Sequence, residues 1–185
     1  MDKRLEENMR VKKSITDALF RLLEKERFSD ISISEIVANA GVARSSYYRN
    51  YSSKESIVET YLDDSFAKFR EVSPYDISDY LSYDHILHTY TAFLREKRQI
   101  LILCKRGFTS YVLDACNEYN EDVAGYMPAN SAERYYLYYG AGAFFNSCII
   151  WLKNGAVESP ETMAKTLYKF INKNHLELYS RDKAK

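Results

Sequence analysis

Apolar residues recur at helical spacing along most of the chain, and strand-like alternation is evident over no useful length. Val11, Ile15, Ala18, Leu19, Leu22 and Leu23 form a stripe in a first helix from about Glu6 to Lys25. Ile33, Ile36, Val37 and Ala40 give a second, shorter helix one apolar face. Ser32 and Glu35, three residues apart, read as a capping box that opens it, and Gly41 supplies the positive φ that ends it. Val42 is the apolar plug of the turn. The stretch RSSYYRN, residues 44–50, predicts another short helix with little apolar character. Phe28 and Ile31 close a small core. Ser52 and Glu55 read as a second capping box, with Lys54 in the first turn of a long helix from Ser53 to about Val72. Ile57, Val58, Tyr61, Leu62, Phe66 and Phe69 are in phase along it.

Ser73-Pro74 breaks that helix, and Tyr75 to Tyr83 is expected to be a linker or short turn. A helix from about Asp84 to Glu96 turns Ile86, Leu87, Tyr90, Phe93 and Leu94 inward. Residues 100–104, ILILC, predict a buried short helix or core segment ended by Gly107. A further helix runs from about Thr109 to Asp122, and Met127-Pro128 ends the next stretch. Ser131 to Lys153 is a long helix closed by Asn154-Gly155. Ser159-Pro160 starts the last one, with serine as cap and proline at the first position, and it runs to about Leu178. Tyr135, Tyr138, Tyr139, Gly142, Ile149 and Leu152 mark a face on the first of this pair, with Phe145 close by. Met163, Leu167, Phe170, Ile171 and Leu178 answer on the second. Faces wide enough for both core and partner predict a four-helix dimer bundle. The expected interface is Tyr139, Gly142, Phe145, Ile149, Leu152, Leu167 and Ile171.

Composition supports an all-α chain. Of 185 residues, 46% are hydrophobic, while Gly and Pro number only 6 and 3. The charged start, MDKRLEENMRVKK, lacks the apolar core of a signal peptide, and no apolar run is long enough to span a membrane, so a cytoplasmic location is expected. Cys104, Cys116 and Cys148 have no metal-ligand spacing and read as reduced, buried thiols. His85 and His88 lie three apart beside Asp84, but no third ligand follows, so a surface pair is expected and no metal or other cofactor. There is no nucleophile elbow, no phosphate-binding glycine loop and no pair of catalytic carboxylates, so an enzyme reading has no support. The formal net charge is zero, yet residues 1–54 carry 11 Lys and Arg against 8 Asp and Glu, a net +3. That bias alone would not identify a nucleic-acid binder.

The chemistry that does so lies between Ser32 and Lys54. An apolar helix, a glycine turn and a polar, basic helix make a helix-turn-helix, whose second helix can enter the DNA major groove. Arg44 is placed to read a base, since a guanidinium bonds guanine O6 and N7 together. Ser32, Ser34, Ser45, Ser46, Tyr47, Tyr48, Arg49, Tyr51 and Lys54 complete the expected DNA-binding set, the hydroxyls and cations suiting phosphate oxygens.

The same residues resemble the TetR family of transcriptional regulators. Ile36-Val37-Ala38, Ala40-Gly41-Val42, Tyr47-Tyr48, Tyr51, Lys54-Glu55 and Ile57 stand in that family's frame over about a quarter of the chain. Ala43 departs from it, replacing the serine or threonine that would cap the recognition helix, and Tyr51 replaces a phenylalanine. The segment from Tyr138 to Ala164 bears a looser likeness to the family's dimerisation end. The resemblance implies an all-α protein of about nine helices: a three-helix DNA-binding domain over residues 1–55, and a larger helical ligand-binding and dimerisation domain over 56–185. It implies a homodimeric repressor, released from a palindromic operator in double-stranded DNA by a small apolar or aromatic effector. Tyr61, Phe66, Tyr90, Phe93, Phe108, Tyr111 and Tyr138 are the candidate pocket. Alternatives keep the DNA site without that switch: control by a protein partner, an activator, or a DNA-organising factor without ligand.

Overall fold

Ser32 Oγ accepts the Glu35 amide at 3.2 Å, and the Glu35 carboxylate accepts the Ser32 amide at 2.7 Å. Helix α2 (Ile33–Ala40) therefore opens on a complete capping box and ends on Gly41 at φ 65°, as the pattern predicts. The computed structural model describes residues 3–72, 81–124 and 127–182. Among the described residues the elements are nine α-helices and one 3-10 turn, Phe28–Asp30, with no strand. The other helices are α1 (Lys3–Leu23), α3 (Arg44–Asn50), α4 (Glu55–Val72), α5 (Tyr83–Arg95), α6 (Lys97–Lys105), α7 (Thr109–Ala124), α8 (Ala132–Lys153) and α9 (Pro160–Asp182). The expected break at Ser73-Pro74 and most of the expected linker lie outside the described residues. The second capping box is shifted by one residue. Ser53 and Ser56 exchange amide-to-hydroxyl bonds of 3.1 and 3.2 Å, so Ser53, not Ser52, caps α4. α9 runs past Leu178, because nothing in that stretch breaks a helix.

The helices fall into two compact units, Met1–Ala67 with Ile102–Ala115, and Lys68–Leu101 with Cys116–Lys185. In the first, α1 lies along α2 and touches α3. Ile15, Leu19, Leu23, Ile31, Ile36, Tyr47, Ile57, Val58 and Leu103 are fully buried there. Truncating one of the aliphatic members to alanine would cost about 2–5 kcal/mol. The segment from Ile102 closes the end of α1. Arg106 donates to the carbonyls of Leu23 and Glu24 at the C-terminal end of α1, where helix geometry supplies no further amide to them. Phe108 meets Phe28 edge-on at 4.8 Å.

In the second unit α5 packs along α9 and touches α8. Tyr90 is buried, its hydroxyl 2.9 Å from Ser147 Oγ and its ring edge-on to Trp151 at 5.4 Å. Trp151 is buried too, with its indole N–H donating to the Glu158 carbonyl at 3.2 Å. Aromatic core and polar rim meet at that ring. The buried polar side chains include His85, which replaces the expected surface histidine. α5 turns it inward, stacked over Tyr119 and edge-on to Phe69, while His88 lies 4.7 Å from Phe69.

Burial pushes the His85 imidazolium from its ordinary 6.5 down to about 4, with the neighbouring His88 adding to the shift. The unfolded chain binds that proton near pH 6.5, and the folded protein binds it only near 4. Stability contributed by neutral His85 is therefore complete above pH 6.5 and lost as pH falls toward 4. Urea midpoints measured across that window should decline more steeply for the wild type than for His85→Gln. Parallel profiles would show that the imidazole titrates normally in the fold.

Candidate nucleic-acid interface

Helix α3 has seven residues, and Tyr47 is its buried side chain. The tyrosine ring anchors the helix to the core, leaving Arg44, Ser45, Tyr48 and Arg49 exposed and Ser46 half-buried. No side chain caps α3, because Ala43 stands at the N-cap. Asn50 instead donates from its side chain to the Ser46 carbonyl at 2.8 Å, tying the last turn. Arg44 Nη2 donates to the Tyr48 hydroxyl at 3.1 Å, and the guanidinium carbon lies 5.6 Å from the Tyr48 ring centre. Arg21 of α1 reaches the Asn39 carbonyl near the end of α2 at 2.9 Å, bracing the pair of helices that carries the turn.

Four of the residues expected at DNA have other tasks in this geometry. Tyr47 has no exposed surface, so its hydroxyl cannot reach a phosphate from here; burial also pushes that phenol up to about 12. Tyr51 is buried as well, its hydroxyl 3.4 Å from Thr16 Oγ rather than at solvent, because the chain turns inward after α3. The Lys54 ammonium donates to the carbonyls of Phe28 and Ile31 and sits 4.6 Å over the Phe28 ring. That cation binds the 3-10 turn to the start of α4, so two of its three N–H bonds are committed within the domain. The Ser32 hydroxyl donates to the Glu35 carboxylate while accepting its amide, as a cap. These bonds hold the Glu35 carboxyl below the usual range. Ser34 is exposed. The outward set is therefore Ser34, Arg44, Ser45, Tyr48 and Arg49, with Ser46 at its edge.

The aromatics expected to line a pocket divide between the units. Tyr61, Phe66, Phe108 and Tyr111 belong to the first, Tyr90, Phe93 and Tyr138 to the second. Tyr61 is edge-on to Phe20 and Phe108 to Tyr111, as core packing requires. Tyr138 is exposed, and its hydroxyl donates to Glu121, which also pairs with Arg134. The expected dimer residues divide by face. Phe145, Ile149 and Leu152 are buried within the chain's own core, so they are corrected to core residues. Tyr139 is 72% exposed, and Gly142, Leu167 and Ile171 are half-buried. Phe170, which the sequence places on the α9 face, is 64% exposed, and Ala143 is exposed too; Ile150, which sequence reasoning left off the α8 face, is 54% exposed. The stripe Tyr135, Tyr139, Ala143, Asn146, Ile150 is the signal that could have found the α8 members, since it repeats every three or four residues.

Comparison with known proteins agrees with this geometry. Residues 15–61, which include α2 and α3, match the profile of bacterial regulatory proteins of the tetR family. No curated protein sequence matches the chain significantly. Among solved structures, a TetR transcriptional regulator from Streptococcus agalactiae 2603V is 18% identical over 91% of this chain and 97% of its own, with a TM-score of 0.64. A dihydroxyacetone kinase operon activator, DhaS, is 16% identical over 89% of this chain and 95% of its own, with a TM-score of 0.60. At such identities the likeness is one of fold.

Tyr47 supplies a direct check on the inward and outward assignment. Its buried hydroxyl has no hydrogen-bond partner among the described residues. Tyr47→Phe should raise stability by about 1 kcal/mol, since an unsatisfied buried polar group is removed. DNA affinity should be unchanged, and a loss of affinity in the folded variant would return that hydroxyl to the interface. Residues 15–61 carry the DNA-binding helix-turn-helix of the tetR family of bacterial regulatory proteins, so the chain is a DNA-binding regulator of transcription, and its fold is shared with a TetR regulator.

Proposed function

We propose that the protein is a homodimeric repressor, released from a palindromic operator when a small apolar or aromatic molecule binds its larger domain. The observation that carries the pairing is the exposed side of α8. Tyr135, Tyr139, Ala143, Asn146 and Ile150 form one stripe open to water, apolar except for Asn146. On α9, Phe170 is exposed in the same unit, with Met163 and Leu167 half-buried. A side chain at Gly142 would meet nothing within 4 Å, so the chain itself does not use the close approach that glycine permits. A second copy, placed isologously, would use it and cover the stripe.

Pairing matters for DNA because two recognition helices bind two half-sites as one linked event. The division into residues 1–55 for DNA and 56–185 for ligand and pairing is part of the proposal. So is the switch: an effector favours a state in which α4 holds the two recognition helices at a spacing unsuited to the operator. No helix among the described residues is long and apolar enough to cross a membrane. A second reading is an activator, or a regulator governed by a protein partner; the likeness to an operon activator favours it. A reporter fused to the regulated promoter separates the two. Expression should rise when the protein is deleted, and a fall would make it an activator.

Two substitutions test the assembly and the reading residue. Gly142→Arg puts a long cation into the stripe without a clash inside the chain. Light scattering should show monomers that keep their helical content and have lost operator affinity. A variant that remains dimeric and binds normally moves the interface elsewhere. Arg44→Ala should cost about 1–3 kcal/mol and relax preference at one base pair per half-site. Unchanged affinity and preference would remove Arg44 from the base-reading role.

A further inference from the structure

Arg44 and Tyr48 are one helical turn apart on the exposed side of α3, where i and i+4 side chains meet. Their contact has two components. The guanidinium lies toward the face of the phenol ring, 5.6 Å from its centre, and Nη2 donates to the phenol oxygen at 3.1 Å. The ring is itself held. Buried Tyr47 meets it edge-on at 5.2 Å with the planes 88° apart, and Tyr47 also packs against buried Tyr51 at 5.9 Å. A ladder of rings thus leads from the domain core to the guanidinium. Tyr48 remains 53% exposed, so the outer end of the ladder is open to a ligand.

A free arginine on a helix surface samples many rotamers, and binding a base must freeze them. An aromatic face and a charge-assisted hydrogen bond narrow that ensemble before DNA arrives. The hydrogen bond uses one of the five guanidinium N–H donors. Enough remain for the paired bond to guanine O6 and N7. The phenol oxygen accepts in this bond, so its own O–H is still available to a phosphate oxygen. Ala43 brings no hydroxyl to the start of α3 that could compete for the guanidinium.

We infer that Tyr48 is the positioning residue for base reading by Arg44, so that discrimination for a guanine, and not only overall affinity, depends on the phenol. The inference rests on the reading of Arg44 as the base-reading residue. It separates cleanly from a phosphate-only role for Tyr48. A phosphate contact contributes equally to every sequence. A contact that aims Arg44 contributes only where a guanine is present to be read.

The test uses the full-length protein and an operator duplex obtained by selection, together with duplexes in which each base pair of the half-site is exchanged in turn. Fluorescence anisotropy gives the affinity ratio at each position for wild type, Arg44→Ala, Tyr48→Phe, Tyr48→Leu and the double variant Arg44→Ala/Tyr48→Phe. Arg44→Ala should abolish discrimination at one guanine, a loss of about 5- to 150-fold. Tyr48→Phe should reduce discrimination at that guanine by about 3-fold, as expected for a single hydrogen bond at an exposed site. Tyr48→Leu, which also removes the ring face, should reduce it further, by roughly 10-fold. At the other positions the ratios should hold. In the Arg44→Ala background Tyr48→Phe should leave every ratio unchanged. The salt slope should be the same for both Tyr48 variants, because no charge is removed.

If Tyr48→Phe and Tyr48→Leu weaken all duplexes by one common factor, the phenol is a phosphate contact and the inference is overturned. If Arg44→Ala itself changes no ratio, the reading beneath it fails instead. Should Tyr48→Leu fold poorly, Tyr48→Phe still decides, since it removes a single exposed oxygen and keeps the ring.

Discussion

The recognition helix depends on one buried ring. Seven residues are far too few for a stable helix in water, because nucleation costs more than so short a ladder of hydrogen bonds returns. α3 therefore takes its conformation from its surroundings: the glycine turn before it, the bond from Asn50 to the Ser46 carbonyl, and Tyr47 inserted into the core. The same constraint makes the helix useful. With Tyr47 turned inward, the rest of its surface is free to be polar and basic. The neighbouring tyrosine, fixed against Tyr47, then holds Arg44 in place. Core packing and the orientation of the Arg44 guanidinium are thus successive links of one chain of contacts.

A parallel logic governs the first unit as a whole. The end of α1 is closed by Arg106, and Phe28 is held between Phe108 and the ammonium of Lys54. Segments far apart in sequence thereby fix the platform on which α2 and α3 stand. In the second unit the dominant feature is α8. Leu137, Ala141, Phe144, Cys148 and Trp151 fill the core, while Tyr139 and Ile150 remain open to water. Such a helix costs solubility unless its outer side is covered, and a second copy is the simplest cover.

The helix count and the boundaries of α2 and α3 were legible in the sequence. A capping box, a positive-φ glycine and a change from apolar to polar face are local signals, and local bonds enforce them. What escaped were contacts set by tertiary geometry. The frame from Ser32 to Lys54 could not tell that Tyr47 and Tyr51 point inward, since a tyrosine serves a core and a phosphate equally well on paper. Lys54 looked like a phosphate cation because its carbonyl partners, Phe28 and Ile31, lie more than twenty residues earlier. The phase of α8 was missed for a different reason. A helix with apolar residues on every side carries little directional information, so Phe145, Ile149 and Leu152 were assigned outward when they face the core. His85 escaped likewise, because its burial depends on Tyr119 and Phe69 from distant segments.

The central claim is that α3 reads double-stranded DNA and that two copies do so together. Selection from a random duplex pool with the purified full-length protein tests it most directly. The account predicts enrichment of an inverted repeat, with a guanine at one fixed position in each half-site and two protein chains on each recovered duplex. A pool that stays random after repeated rounds with folded protein, or a single half-site bound by one chain, would contradict it.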